Sequence, residues 1–349
     1  MFKHELKATG LRDANLLSAY QACGRYLARR NSAAYPVARF LLPPARRPYY
    51  DAFLAFTGRV DELLDAGDQS IEDRDSKFTT FVEQFFTVLT DDLDRLANQT
   101  YEGTSEVQLI SAAFAHAVVT WGISHDSVHH ALETMRADLH VRSYPTFDAL
   151  QRYMSGVSGE AGRWVNILMG GESEEAAHKA VALSHGVYLL DFLADIGEDI
   201  DLGRVYLPLE DLQRYNISRE DLEDAARRRQ ITEPIREMIA YQASRISQHF
   251  DEADGWHKLV HPSCQELPRQ YLNLGRDSLR LVVRSNYDVL RNHPALQLRS
   301  LGYALGSTAL SYLRAFRDHR HHPSFHPPHI SGSRPLKPEM RVDPPNSGS

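Results

Sequence analysis

Cysteine is nearly absent from this 349-residue chain: Cys23 and Cys264 stand far apart, with no CxxC pair and no His-rich zinc spacing. That excludes a disulfide framework and a structural zinc site, and it fits a reducing, cytoplasmic setting. Long apolar runs are missing too. No stretch of about 18 apolar residues offers a membrane span, and Met1-Phe2-Lys3-His4-Glu5 lacks the apolar segment of a signal peptide. Nor is there an excess of positive charge. The formal net charge is -7, without an interleaved basic and aromatic stripe, which speaks against nucleic acid as a partner. An anionic substrate would need local help, from metal ions or a few placed Arg and Lys. Strand-like alternation is nearly absent, and no repeat of helical-hairpin length is visible.

What remains is helical. From roughly Leu11 to Leu301, apolar residues recur at three- and four-residue spacing, interrupted by short Pro, Gly or Ser signals. The pattern predicts helices from Phe78 to Leu96, Val107 to Val119, Ser127 to Leu139, Phe147 to Leu168, Glu174 to Ile200, Ile235 to Phe250 and Pro268 to Leu290. A chain that is 42% hydrophobic can bury a sizeable core, and no linker richer than an ordinary loop divides it. The expected fold is all-α, a single catalytic domain over 1–316. From Arg317 onward His319, His321 and His322 lead into a Pro-, Gly- and Ser-rich stretch, so 317–349 is predicted to be a disordered tail with solvated histidines.

Two acidic constellations stand out. In Gly58-Arg59-Val60-Asp61-Glu62-Leu63-Leu64-Asp65, Asp61 and Asp65 are four apart. On a helix both carboxylates share one face, where they can hold hard cations that in turn hold diphosphate oxygens. In Asp191-Phe192-Leu193-Ala194-Asp195-Ile196-Gly197-Glu198-Asp199, three aspartates recur at the same spacing inside an apolar frame. Like charges one turn apart destabilise a helix by a few tenths of a kcal/mol per pair, a cost that a bound cation would relieve. Two such helices suit a bundle whose facing walls project carboxylates into a central cavity.

With these spacings the residues resemble the squalene and phytoene synthases. Leu41-Leu42-Pro43 precedes Asp61 and Asp65 at the offset of that family's first aspartate motif. Met135-Arg136-Ala137-Asp138-Leu139, and then Tyr153-Met154-Ser155-Gly156-Val157-Ser158-Gly159, is similar to its substrate-pocket segment, broken by small residues. Asp195-Ile196-Gly197-Glu198-Asp199 with Gly203-Arg204-Val205-Tyr206-Leu207-Pro208 is similar to its second signature. The resemblance implies an isoprenoid-synthase helical bundle around a central cavity, with magnesium (Mg2+) and an allylic isoprenyl diphosphate as cofactor and substrate. It implies that Asp61, Asp65, Asp195 and Asp199 are metal ligands. Arg204 and Tyr206 would lie beside the diphosphate, and Asp138, Tyr153 and Val157 would line the pocket.

Several positions depart from that pattern. Gly58 and Ala194 stand where the family carries arginine, Tyr188 and Asp191 where it carries Gln and Asn, and Gly275 where a pocket tyrosine is expected. Losing a bidentate Arg–diphosphate contact costs on the order of 2 kcal/mol. The losses point to one allylic donor and a different acceptor. This pattern of retention and loss resembles the squalene-synthase-like prenyltransferases that alkylate aromatic rings, which implies an aromatic small-molecule acceptor of indole or carbazole type. Tyr188 would stack on or hydrogen-bond that acceptor. Asp191 would be the general base, a fifth metal-side carboxylate, or a polar partner of Tyr188. The rival expectations are a head-to-head squalene or phytoene synthase and a terpene cyclase.

Overall fold

The computed structural model describes residues 2–30, 34–65, 67, 69–89, 105–291, 311–322 and 327. Among these residues there are helices and no strand, apart from an isolated parallel bridge between Ser143 and Val205. The all-α expectation holds, and one continuous buried cluster extends from Leu6 near the N-terminus to Ala315.

Local chemistry sets the helix ends. The Ser70 side chain accepts from the Asp73 amide, so that helix begins at Ile71, seven residues before the predicted Phe78, and it ends at Val88. Leu89 caps it in extended backbone, and the remainder of that expected helix, from 90 to Leu96, lies outside the described residues. Ser105 and Gln108 form a reciprocal capping box that starts Glu106–Trp121, and Ser173 caps Glu174–Ala194 through the Ala176 amide. The helix expected from Pro268 runs Glu266–Arg284 and stops before Asn286 and Tyr287, which take left-handed backbone at φ 55° and 61°.

Two expected helices are interrupted, both at the site. Phe147 to Leu168 divides into Phe147–Met154, a wider π-helical turn over Ser155–Gly159, and Glu160–Leu168. The small residues of Ser-Gly-Val-Ser-Gly offer little steric resistance to such a turn, a form that often marks functional sites. Glu174 to Ile200 divides into Glu174–Ala194 and Ile196–Asp201, with Asp195 at φ −98°, ψ 10° between them. The Asp195 amide still bonds the Asp191 carbonyl at 2.9 Å, and the Asp199 amide bonds that of Asp195 at 2.9 Å. The ladder therefore bends without parting, and the three aspartates stay on one side.

Arg47–Leu64 packs against Ala14–Arg29 and Glu106–Trp121; Glu174–Ala194 packs against Glu160–Leu168 and Glu233–Glu252. The Phe56 and Phe114 rings stack at 4.0 Å, flanked by Phe85 and Trp164. Burying each such side chain is worth about 1.5–3 kcal/mol, which anchors the helix that ends in the first aspartate pair. Residues 311–321 are helical, so the boundary expected at 317 falls inside a helix; apart from 322 and 327, the rest of the expected tail lies outside the described residues.

Candidate active site

A cavity of about 310 Å³ opens where the two acidic helices face each other. Asp61 and Asp65 come from the end of Arg47–Leu64, and Tyr188, Asp191, Asp195 and Asp199 from the bent helix opposite. Asp138 enters from the 3-10 turn after His125–Arg136, Tyr153 and Val157 from the π-turn region, and Arg204 and Tyr206 from the segment that follows Asp201. All eleven candidate residues therefore meet at one cavity. Leu64, Met135 and Phe192 complete its wall and were missed. Phe192 was legible in principle, since it stands one helical turn after Tyr188.

The last segment is placed by backbone geometry. Gly203 adopts φ +74°, its amide bonds the Ile200 carbonyl at 2.9 Å, and the Arg204 amide bonds that of Asp199 at 2.7 Å. This left-handed closure of the helix end aims the chain back across the cavity mouth. The Val205 amide then bonds the Arg142 carbonyl at 2.8 Å, Val205 is buried, and the alternation of an extended chain turns Arg204 and Tyr206 to the cavity. The Tyr206 ring lies flat on Phe192 at 4.3 Å.

Asp138 is the best-held carboxylate. Tyr153 donates to it at 2.5 Å and Tyr206 at 3.4 Å. Burial still pushes it up to about 6, against the lowering effect of the Tyr153 hydrogen bond and of Arg204. The others are crowded by their own kind. Asp61 is raised to about 6 by its enclosure and by Asp65, while Asp191 and Asp199 are each raised to about 7 by enclosure and by Asp195. The Asp61 and Asp191 side chains are solvent-exposed through the open cavity, and the density of protein atoms around them raises their values all the same.

Arg204 is the single cation on the wall among the described residues. Its side chain is only 13% exposed and its guanidinium reaches Asp65 at 3.3 Å, a long contact, while its buried Nε has no hydrogen-bond partner. Such a group keeps donors in hand for an anionic oxygen.

Among the described residues, no three His, Cys, Asp or Glu side chains converge closely enough to form a ready-made ion cage. Facing pairs of hard oxygen donors suit instead a small divalent cation bound by one or two carboxylates, with the rest of its shell supplied by water and phosphate. Asp61 and Asp65 on one wall, and Asp195 and Asp199 on the other, are the residues that would hold it.

The structure gives three of the departures their surroundings. At Gly58, an added Cβ would lie 2.3 Å from Arg30 Nη1; that guanidinium donates to the Gly58 carbonyl and to the Tyr26 hydroxyl, each at 2.9 Å. A positive charge near Asp61 thus comes from Arg30, the residue that caps Ala14–Arg29, a tertiary placement with no sequence signal. Ala194 lines a separate groove of about 790 Å³ beside Ile196–Asp201 and not the aspartate cavity. Gly275 packs against Phe250, while Tyr271, one turn earlier, lines a second cavity of about 230 Å³. That cavity is apolar, walled by residues such as Leu54, Val165, Leu183 and Trp256, and Tyr188 lines it as well.

This arrangement has relatives. A family model described as squalene/phytoene synthase matches residues 28–300. The 15-cis-phytoene synthase of Synechococcus elongatus is 28% identical over 291 residues, covering 80% of this chain and 88% of that protein. The 15-cis-phytoene synthase of Synechocystis is 25% identical over 288 residues, covering 79% and 80%. Among solved structures, a squalene synthase from Alicyclobacillus acidocaldarius aligns with a TM-score of 0.67 at 24% identity, over 80% of this chain and 98% of that one. A dehydrosqualene synthase in complex with ligand aligns with a TM-score of 0.64 at 18% identity, over 83% and 98%. At such identities the structural likeness speaks for the fold. No described helix is long and apolar enough to cross a membrane.

Proposed function

The chain belongs to the squalene/phytoene synthase family and is a prenyltransferase; from that premise we propose that it ionises one allylic isoprenyl diphosphate and passes the prenyl group to an aromatic small-molecule acceptor. One observation carries this reading: among the described residues, six aspartates and a single arginine line the cavity. Two diphosphates would bring several more negative charges to a wall that offers one guanidinium, whereas one diphosphate matches it.

Mg2+ held by Asp61, Asp65, Asp195 and Asp199 would neutralise the departing diphosphate. Arg204 donates to a diphosphate oxygen from the cavity mouth. The C1–O bond breaks and its electron pair leaves with the diphosphate. Tyr153, Tyr188, Phe192 and Tyr206 present ring faces to the allylic cation and exclude water from it. The apolar cavity beyond Tyr188 takes the hydrocarbon tail. A ring carbon of the acceptor supplies the electron pair of the new C–C bond, and its proton passes to Asp191, a carboxylate that lines the same cavity.

A second reading is a head-to-head synthase of the phytoene type. It is favoured by the names of the two cyanobacterial relatives and by Arg30, which restores a positive charge beside Asp61. Incubation with Mg2+ and a panel of dimethylallyl, geranyl, farnesyl and geranylgeranyl diphosphates, with and without indole and carbazole acceptors, tests the proposal by mass spectrometry. Prenylated aromatic product supports it. A long hydrocarbon formed from diphosphate alone overturns it in favour of the second reading.

A further inference from the structure

The segment that brings Arg204 and Tyr206 to the aspartate cavity is held at both ends. At its start, left-handed Gly203 closes it onto Ile196–Asp201. At its far end it runs through Pro208 into the short helix Leu209–Arg214, whose Leu209 and Glu210 amides bond the Tyr144 and Pro145 carbonyls at 2.9 and 3.0 Å. Asp211 of that helix is only 2% exposed, yet it is ionisable and its carboxylate is fully engaged. It accepts from Gln242 Nε2 at 2.8 Å and from both terminal nitrogens of Arg245, the Nη2 contact being 3.3 Å. Gln242 and Arg245 stand on Glu233–Glu252, and neither lines the aspartate cavity. The Arg245 guanidinium is itself fixed: its Cζ lies 4.1 Å from the Phe147 ring centroid and 4.4 Å from that of Tyr241, and Nη2 donates to the Tyr241 hydroxyl at 3.3 Å. A buried ion pair adds little net stability over apolar packing, while a stacked, bidentate arginine holds its partner in one geometry.

We propose that Arg245 is a positioning residue for the diphosphate: by holding Asp211 it fixes the far end of the 203–208 segment, and with it the place of Arg204 at the cavity. The inference rests on the proposed contact between Arg204 and a diphosphate oxygen. Between its two ends the segment has the Val205 amide bond to the Arg142 carbonyl as a backbone tie, at 2.8 Å. Loosening Asp211 leaves the segment anchored at Gly203 and free to shift toward Pro208, and Arg204 then meets the diphosphate with poorer geometry.

The test is a double-mutant cycle read by calorimetric titration of the full chain, in Mg2+, with unreactive farnesyl and geranylgeranyl thiolodiphosphates. Arg245→Met keeps a stem over the two rings and removes the pairing; it is expected to weaken analogue binding about tenfold. In the Arg204→Ala background, itself weakened, the same change is expected to cost nothing further. Circular dichroism checks folding. The combined variant Asp211→Asn, Arg245→Met, which strands no buried charge, carries the same two expectations if Arg245→Met alone does not fold. A folded variant with wild-type affinity overturns the proposal, as does an equal loss in both backgrounds, which would mark the pair as support for the fold alone. Wild type that binds neither analogue, or Arg204→Ala that binds like wild type, refutes the reading of the site on which the inference rests, a result distinct from either of these.

Discussion

The phenol of Tyr153 donates to the carboxylate of Asp138 at 2.5 Å, and this bond joins the end of helix Phe147–Met154, just before the π-turn, to the 3-10 turn. A hydrogen bond to a charged partner contributes about 1.5–3 kcal/mol. Tyr153→Phe should lower kcat by about 10- to 100-fold, as Asp138 rises further and loses its orientation. Steady-state kinetics beside a melting curve would check this; a fall in stability with kcat unchanged would contradict it.

Replacing Asp61 by Asn should abolish turnover while raising the melting temperature of the metal-free protein, because the variant loses a metal ligand and also the repulsion of Asp65. Asp195→Asn should be inactive as well. Full activity in both variants would end the assignment of these residues to the cation.

Without a cation, the aspartate wall opposes folding as pH rises. Asp191 and Asp199 stand near 7, and Asp61 and Asp138 near 6, against an ordinary value of 3.8. Between those values the folded chain retains protons that the unfolded chain has released, so stability declines from about pH 4 to about pH 7 and then levels. Melting curves in chelator should follow that decline, and Mg2+ should raise the midpoint more at about pH 8 than at about pH 5. In the double variant Asp191→Asn, Asp199→Asn the slope in chelator should flatten; an unchanged slope would contradict the crowding of these carboxylates.

Gly58→Ala separates packing from electrostatics. Ala is favoured over Gly inside a helix by about 1 kcal/mol, and the obstacle is the far end of a flexible arginine, so stability should hold. Arg30 must move away from Asp61, and kcat/KM should fall about 3- to 10-fold, matching Arg30→Ala and not adding to it. Additive effects would show that Arg30 acts elsewhere.

Much of this was legible in the sequence, for a physical reason. Carboxylates four apart on a helix must share a face, so Asp61 with Asp65, and Asp191 with Asp195 and Asp199, were found by spacing, while Arg204 and Tyr206 came with the resemblance that those motifs carry. What was not legible depends on three-dimensional proximity. Arg30 reaches Gly58 from the cap of a helix, 28 residues earlier in the chain, Ala194 lines a separate groove, and Tyr271 rather than Gly275 faces the apolar cavity. The bend at Asp195 escaped for a related reason: its flanking residues keep helical periodicity, and the kink is a property of one residue's backbone.

The most direct measurement is the amount of diphosphate released per molecule of product, taken with the allylic diphosphate and aromatic acceptor that turn over. One diphosphate per product molecule, with none released above background when acceptor is omitted, is the result that a single-donor prenyltransferase predicts. Two diphosphates per product, released without any acceptor, would contradict it and identify head-to-head condensation.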